Sequence, residues 1–321
     1  MIMEKRSKIF TAVAVLIAAA IVVGGSAAIL SPKIDGDTTL RIGVLPVIDT
    51  LPLYVGVDQG LFSDSGVKVE LLEFNSAIER DAAFAAGSID GYFGDLINTL
   101  VIAKSTGVKV VTVDYHTLSD HRMFAILASP HSGITDLSQL NGAAIATSRA
   151  SISEYFLGEM LRVNNISEPQ INEVPAIPIR YQSLMSDQIS VAVLPEPFAT
   201  RAIENGAILL ADDRGIDTTA TVIALRDSVI SEHGDVVRSF LAGYNASVAL
   251  VNNDPMAFSS ILESKIHYPA EMEASFDFPP MSSIALPTAA DLQRVQTWMV
   301  AKGMLATEVA YDDVIATGLH G

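Results

Sequence analysis

No cysteine occurs in the 321 residues. That absence excludes disulfides, thiol catalysis and thiolate metal sites, and it leaves the compartment to be read from other features. Positive charge is also scarce: 20 Lys and Arg stand against 37 Asp and Glu, a formal net charge of −17. This argues against nucleic acid as a partner, because a phosphate backbone requires a basic surface. The G-x-S-x-G, H-E-x-x-H and glycine-rich phosphate-loop patterns are missing, so no catalytic residue is assigned. His116 and His121 lie five apart in a loop and His131 follows a proline, without acidic partners at a zinc-like spacing. Neither a metal nor a cofactor is expected. There is no internal repeat beyond a shared βαβ pattern, and no low-complexity tract.

One long charge-free run is present. Lys5, Arg6 and Lys8 precede Ile9–Leu30, 22 residues without a charge. At about 1.5 Å per residue that run is long enough to span a bilayer as a helix. The basic flank keeps its own side cytoplasmic and places the remainder outside. Two readings are open: a signal peptide cleaved after Ser26-Ala27-Ala28, or a retained anchor, which the length favours. Residues 31–39 then read as a polar linker.

The stretch from Leu40 to Asp95 organises the rest. Leu40 to Leu45 is an apolar run suited to a buried parallel strand. A helix follows from Leu51 to Gln59, stopped by Gly60, and Val67 to Phe74 forms a second strand. Ser76 and Glu79 make a capping box for a helix ending at Gly87, and Ile89 to Phe93 is a third strand. Strand, helix, strand, helix, strand within one short stretch predicts an open parallel sheet. The same alternation recurs from Ala143 to Ala211, with a second capping box at Ser151 and Glu154. Residues 40–128 are assigned to a first lobe, 129–213 to a second, and 214–321 to a return into the first. In sheets of this kind ligands lie outside the carboxyl ends of the strands.

Three segments, LPLYVGVDQGLF (from Leu51), ERDAAFAAGSIDGYFGD (from Glu79) and LPEPF (from Leu194), resemble solute-binding proteins of ABC importers of the nitrate/sulfonate/taurine type. The resemblance covers roughly Leu40 to Ile315. It implies a two-lobed type II periplasmic-binding fold, each lobe an open, mostly parallel α/β sheet flanked by helices, here preceded by the hydrophobic helix. It further implies capture of a small polar or anionic molecule in the interlobe cleft, delivery to an ABC permease and its ATPase, and an extracytoplasmic, monomeric protein without enzymatic activity. The rival is an enzyme of the same fold acting on a heterocycle or cofactor precursor, of the thiamine-pyrimidine or menaquinone-pathway type. Against it stand the export segment and the missing cysteine-rich motif.

Helix starts at strand ends expose unpaired amides and a partial positive charge, which suits polar or anionic ligands. On that ground Asp49, Thr50, Leu51, Asn75, Ser76 and Asp95 are ligand-binding candidates from the first lobe. Ser148, Arg149, Ser151 and Ser153 are those from the second. Glu196, between two prolines, lines the pocket if the resemblance holds. Arg122 and Arg149 are the basic residues nearest predicted strand ends, and Arg149 suits a bidentate clamp on an anion. Each also has a plainer role: Ser76, Ser151 and Asp95 as caps, Asp49 as an Asx-turn, Arg149 as a solvated charge.

Overall fold

Where Leu40, Ile42 and Val44 alternate with Arg41 and Gly43, the chain forms a strand whose apolar side chains are fully buried. The structure is a computed structural model that describes residues 39–320, apart from 168, 270, 271 and 273–275. The apolar segment Ile9–Leu30 lies outside the described residues. Among the described residues no helix is long and apolar enough to cross a membrane.

Ten strands follow in chain order: β1 (Thr39–Val44), β2 (Lys68–Glu73), β3 (Gly91–Gly94), β4 (Val108–His116), β5 (Phe124–Ala128), β6 (Ala144–Thr147), β7 (Gln170–Glu173), β8 (Val191–Pro195), β9 (Ile208–Asp212) and β10 (Thr219–Arg226). They make two five-stranded sheets, ordered β2-β1-β3-β10-β4 and β7-β6-β8-β5-β9. β1 runs parallel to β2 and β3, and β6 parallel to β7 and β8. In each sheet the fourth strand, β10 or β5, is antiparallel to its neighbours and arrives from the other sheet. The expected mixed α/β architecture of two sheets is thus present. One strand sits elsewhere than expected: β5, assigned from sequence to the end of the first lobe, pairs inside the second sheet. Its Phe124–Ala128 register against Val191–Pro195 depends on a contact across some 70 residues, which no local pattern reports.

The helices are α1 (Leu51–Asp58), α2 (Leu61–Asp64), α3 (Ala77–Ala85), α4 (Leu96–Ala103), α5 (Ile152–Val163), α6 (Ile177–Met185), α7 (Phe198–Glu204), α8 (Asp227–Glu232), α9 (Gly234–Asn253), α10 (Ser259–Ile266), α11 (Ala289–Ala301) and α12 (Tyr311–Val314). α9 presents Val237, Phe240, Leu241, Tyr244 and Val248 to the core at helical spacing. It stacks Phe240 on Phe62 at 5.2 Å. Gly56 permits this approach, since a Cβ there would stand 2.5 Å from Phe62 and from the Ser247 hydroxyl. Gly91 is required in the same sense between β1 and β10, where a Cβ would meet Leu225 at 2.2 Å.

Two connections join the sheets, β4 to β5 and β9 to β10, and they touch. The Thr117 amide donates to the Thr218 carbonyl at 3.0 Å, and the Thr218 amide to the Thr117 hydroxyl at 2.9 Å. Beside them Asp213 accepts from the Met123 and Phe124 amides at 2.9 and 3.0 Å. Burial pushes its carboxyl up to about 7.

Candidate functional site

The carboxyl ends of β1, β3, β6 and β8 point toward one another across the gap between the sheets. A cavity of about 60 Å³ remains there. Its apolar wall includes Leu45, Val47, Phe93, Phe124, Ile152 and Ile177. Several hydrogen bonds close its rim from sheet to sheet. The Ile48 amide donates to the Glu196 carbonyl and the Ile177 amide to the Asn75 carbonyl, both at 3.1 Å. The Asn98 side chain donates to the Ala150 carbonyl at 3.0 Å.

Two arginines, each 1% exposed, line this cavity from opposite sides. On α3 the inward stripe is Arg80 and Phe84, so Arg80 occupies a position that would ordinarily hold an apolar residue. Its guanidinium is fully engaged: Nε and Nη2 donate to Asp81 at 2.9 and 2.6 Å, and Nη1 to the Phe93 carbonyl at 2.6 Å. It also lies 4.7 Å from the centre of the Tyr92 ring.

On α6 the inward stripe is Ile177, Arg180 and Leu184. Arg180 Nη1 donates to the Val174 carbonyl at 2.9 Å, but its Nε is buried without a partner. Among the described residues no carboxylate forms an ion pair with it. Burial lowers its pKa to about 10, offset in part by the charge of Glu173, so it remains a cation at neutral pH. A buried cation without a counter-ion is costly, and an anion entering the cavity would relieve that cost.

The first-sheet wall also carries acid. Asp95 caps α4, accepting from the Asn98 amide at 2.8 Å, and its second oxygen accepts from the Ile152 amide at the start of α5, 3.2 Å away. One carboxylate thus serves two helix N-termini, one beside each sheet. Burial nevertheless pushes it up to about 6. Asp49, at the end of the β1 loop, accepts from the Thr221 hydroxyl at 2.7 Å. The same hydroxyl stands 3.1 Å from Asp114, which also accepts from the Tyr244 hydroxyl at 2.6 Å. Burial raises the pKa of both carboxyls of this pair, and for Asp114 the Asp49 charge adds to the effect.

The NMT1/THI5-like family model matches residues 48–257. The chain belongs to that family. Across this NMT1/THI5-like chain, a curated protein of Brachyspira hyodysenteriae, named for an inferred role as an ABC transporter periplasmic binding protein, is 22% identical over 281 residues. The match covers 81% of this chain and 79% of that protein. Among solved structures, the alkanesulfonate-binding protein SsuA of Xanthomonas axonopodis pv. citri bound to MOPS superposes with a TM-score of 0.75. It is 19% identical, over 87% of this chain and 98% of that one. The periplasmic nitrate-binding protein NrtA of Synechocystis PCC 6803 gives 0.65 at 13% identity, over 88% and 86%. Likeness at these identities establishes the periplasmic-binding-protein fold.

Within this family member the residues singled out from sequence divide into two groups. Asp49, Asp95, Ser148, Ser151 and Ser153 line the cavity. Thr50, Leu51, Asn75, Ser76, Arg122, Arg149 and Glu196 do not, and most have visible work elsewhere. Thr50 donates its hydroxyl to the Leu45 and Val47 carbonyls, shaping the β1 loop, and Leu51 is buried at the start of α1. Ser76 caps α3 through the Glu79 amide, while the Glu79 carboxylate reaches the Asn75 amide. Arg122 donates to Glu196 at 2.8 Å and to Thr200 at 2.7 Å, and the other Glu196 oxygen accepts from the Thr200 amide at the start of α7.

Arg149 is exposed, pairs with Glu173 at 3.1 Å, and opens onto a separate surface hollow. The capping box expected from Ser151 and Glu154 does not form. Ala150 adopts a left-handed backbone (φ 49°), which turns Ser151 to donate to the Ser148 carbonyl and leaves Glu154 to accept from the Ala150 amide. Arg80, Arg180, Asp114 and Thr221 escaped the sequence reading. The signal for the two arginines was there: a charged residue at an apolar register position of a short helix.

Proposed function

We propose that this chain is the extracytoplasmic solute-binding component of an ABC importer, capturing a small anionic or polar molecule of the sulfonate or nitrate kind between its two sheets. The observation that carries this reading is Arg180: buried, cationic, lining the cavity, with an unpartnered Nε and, among the described residues, no carboxylate in an ion pair with it. An anion bridging Arg180 and the first-sheet wall would favour the closed arrangement of the lobes by its differential affinity for it. The touching Thr117 and Thr218 connections are the proposed hinge. The named relatives are binding proteins, which supports capture over the enzymatic alternative. The lobes are taken as residues 39–117 with 219–320, and 124–213. The basic, apolar N-terminal segment supports a membrane anchor and work outside the cytoplasm, beside a permease and its ATPase; the protein is taken as a monomer.

The test is thermal unfolding of the full chain with ethanesulfonate, methanesulfonate and nitrate. A ligand at 100 times its Kd adds about 2.7 kcal/mol of stability. A midpoint shift that Arg180→Met removes supports the reading. The absence of any shift, with consumption of an added heterocycle instead, would overturn it in favour of the enzyme.

A further inference from the structure

The sequence has one tryptophan, Trp298, and it does not line the cavity. Its helix, α11, packs on α4 of the first lobe, with Asp291, Leu292, Val295, Gln296 and Met299 buried. Trp298 stands at the edge of that buried face, half-buried, and reaches α5 of the second lobe. Its indole meets the Tyr155 ring edge-on, with ring centres 5.5 Å apart. Three residues on, Gly158 presents bare backbone on the same face of α5. A Cβ there would stand 3.7 Å from Trp298 Nε1. The C-terminal helix of one lobe is thereby seated on a helix of the other.

Tyr155 belongs to the opening turn of α5, where Ile152 and Ser153 line the cavity and the Ile152 amide is held by Asp95. The contact continues inward from there. Tyr155 packs against Phe156 at 5.8 Å, and Phe156 stacks at 4.7 Å on Phe124, a residue of the cavity wall. Asp95 thus grips the start of α5 by a hydrogen bond, and Trp298 grips the same turn by apolar contact. Resting on the anion-capture reading above, we infer that Trp298 is a positioning residue for capture. From outside the cavity it clamps α5 against the first lobe, and it acts on the ligand through Tyr155, Phe156 and Phe124. The clamp favours the closed arrangement alone. Its loss lowers affinity by shifting the lobes toward the open one, with every ligand contact still available.

The experiment combines calorimetric titration of the full chain with ethanesulfonate and the emission of the natural chain, whose tryptophan signal comes from Trp298 alone. Closure that seats the indole on Tyr155 should move its emission to shorter wavelength and protect it from acrylamide. Both changes should saturate at the ligand concentration that saturates the heat. Trp298→Ala should bind about threefold to tenfold more weakly, through faster release at an unchanged association rate. Trp298→Phe keeps a ring there and should restore most of the affinity. Combined with Tyr155→Ala, the two losses should not add. Binding heat with unchanged emission overturns the clamp and leaves anion capture standing. So does a Trp298→Ala chain that melts lower yet binds and releases as the natural one does. Should Trp298→Ala fail to fold, the emission of the natural chain still decides. The absence of any binding heat overturns both.

Discussion

Arg80 and Arg180 face one cavity from opposite walls and are buried to the same degree, yet they have opposite standing in the fold. Arg80 is held by Asp81, the Phe93 carbonyl and the Tyr92 ring. Arg180 has one carbonyl and an idle Nε. Burial alone therefore does not mark a ligand-binding residue. A charge whose partners are all internal is satisfied by the fold, whereas a charge that lacks them can still gain from a partner brought from outside.

Substitutions separate the two roles. Arg80→Met removes the buried member of an ion pair whose carboxylate is partly exposed and takes the donor from the buried Phe93 carbonyl; it should cost about 1–3 kcal/mol in unfolding. Arg180→Met strands no carboxylate. We expect about a hundredfold loss of anion affinity, read by titration, with the unliganded melting midpoint unchanged or raised. If both variants unfold alike, the distinction between the walls fails.

pH sharpens the same contrast. Asp95 and Asp213 have folded-state pKa values raised to about 6 and about 7, above those of the unfolded chain. Their contribution to stability is then full below about pH 4 and is lost as the pH rises through 6 and 7. The unliganded midpoint should fall between pH 5 and 8, on the order of 2 kcal/mol per carboxyl. Arg180, which stays charged over that range, should contribute no slope. A midpoint that rises from pH 5 to 8 would contradict this assignment.

Asp95→Ala removes a cap and the link to the Ile152 amide, and should cost about 1 kcal/mol while speeding ligand release. Smallest of all, Arg149→Ala breaks an exposed pair and should change stability by less than about 0.5 kcal/mol, with anion affinity intact.

Much of this arrangement was legible in the sequence because it is local. The Asp95 cap, the Ser76 cap and the strand-to-helix loops that meet at the cavity all follow from residues within one turn of each other. The two walls were not equally legible. Asp49 and Asp95 stand at strand ends, where attention falls naturally. Arg80 and Arg180 stand inside helices, at register positions that read as core, and only the tertiary contact shows which one lacks a partner. Arg149 looked like the anion clamp because it follows β6, but its loop turns it outward to Glu173. Ser151 lost its capping role to the left-handed Ala150, a backbone state that alanine does not advertise. The membership of β5 in the second sheet depends on pairing with a strand far along the chain, which composition and periodicity do not encode.

The account stands or falls most directly on calorimetric titration of the full chain with ethanesulfonate, compared among the natural protein, Arg180→Met and Arg149→Ala. It predicts saturable single-site binding that Arg180→Met abolishes and Arg149→Ala leaves unchanged. Binding that survives Arg180→Met but is lost with Arg149→Ala would contradict it.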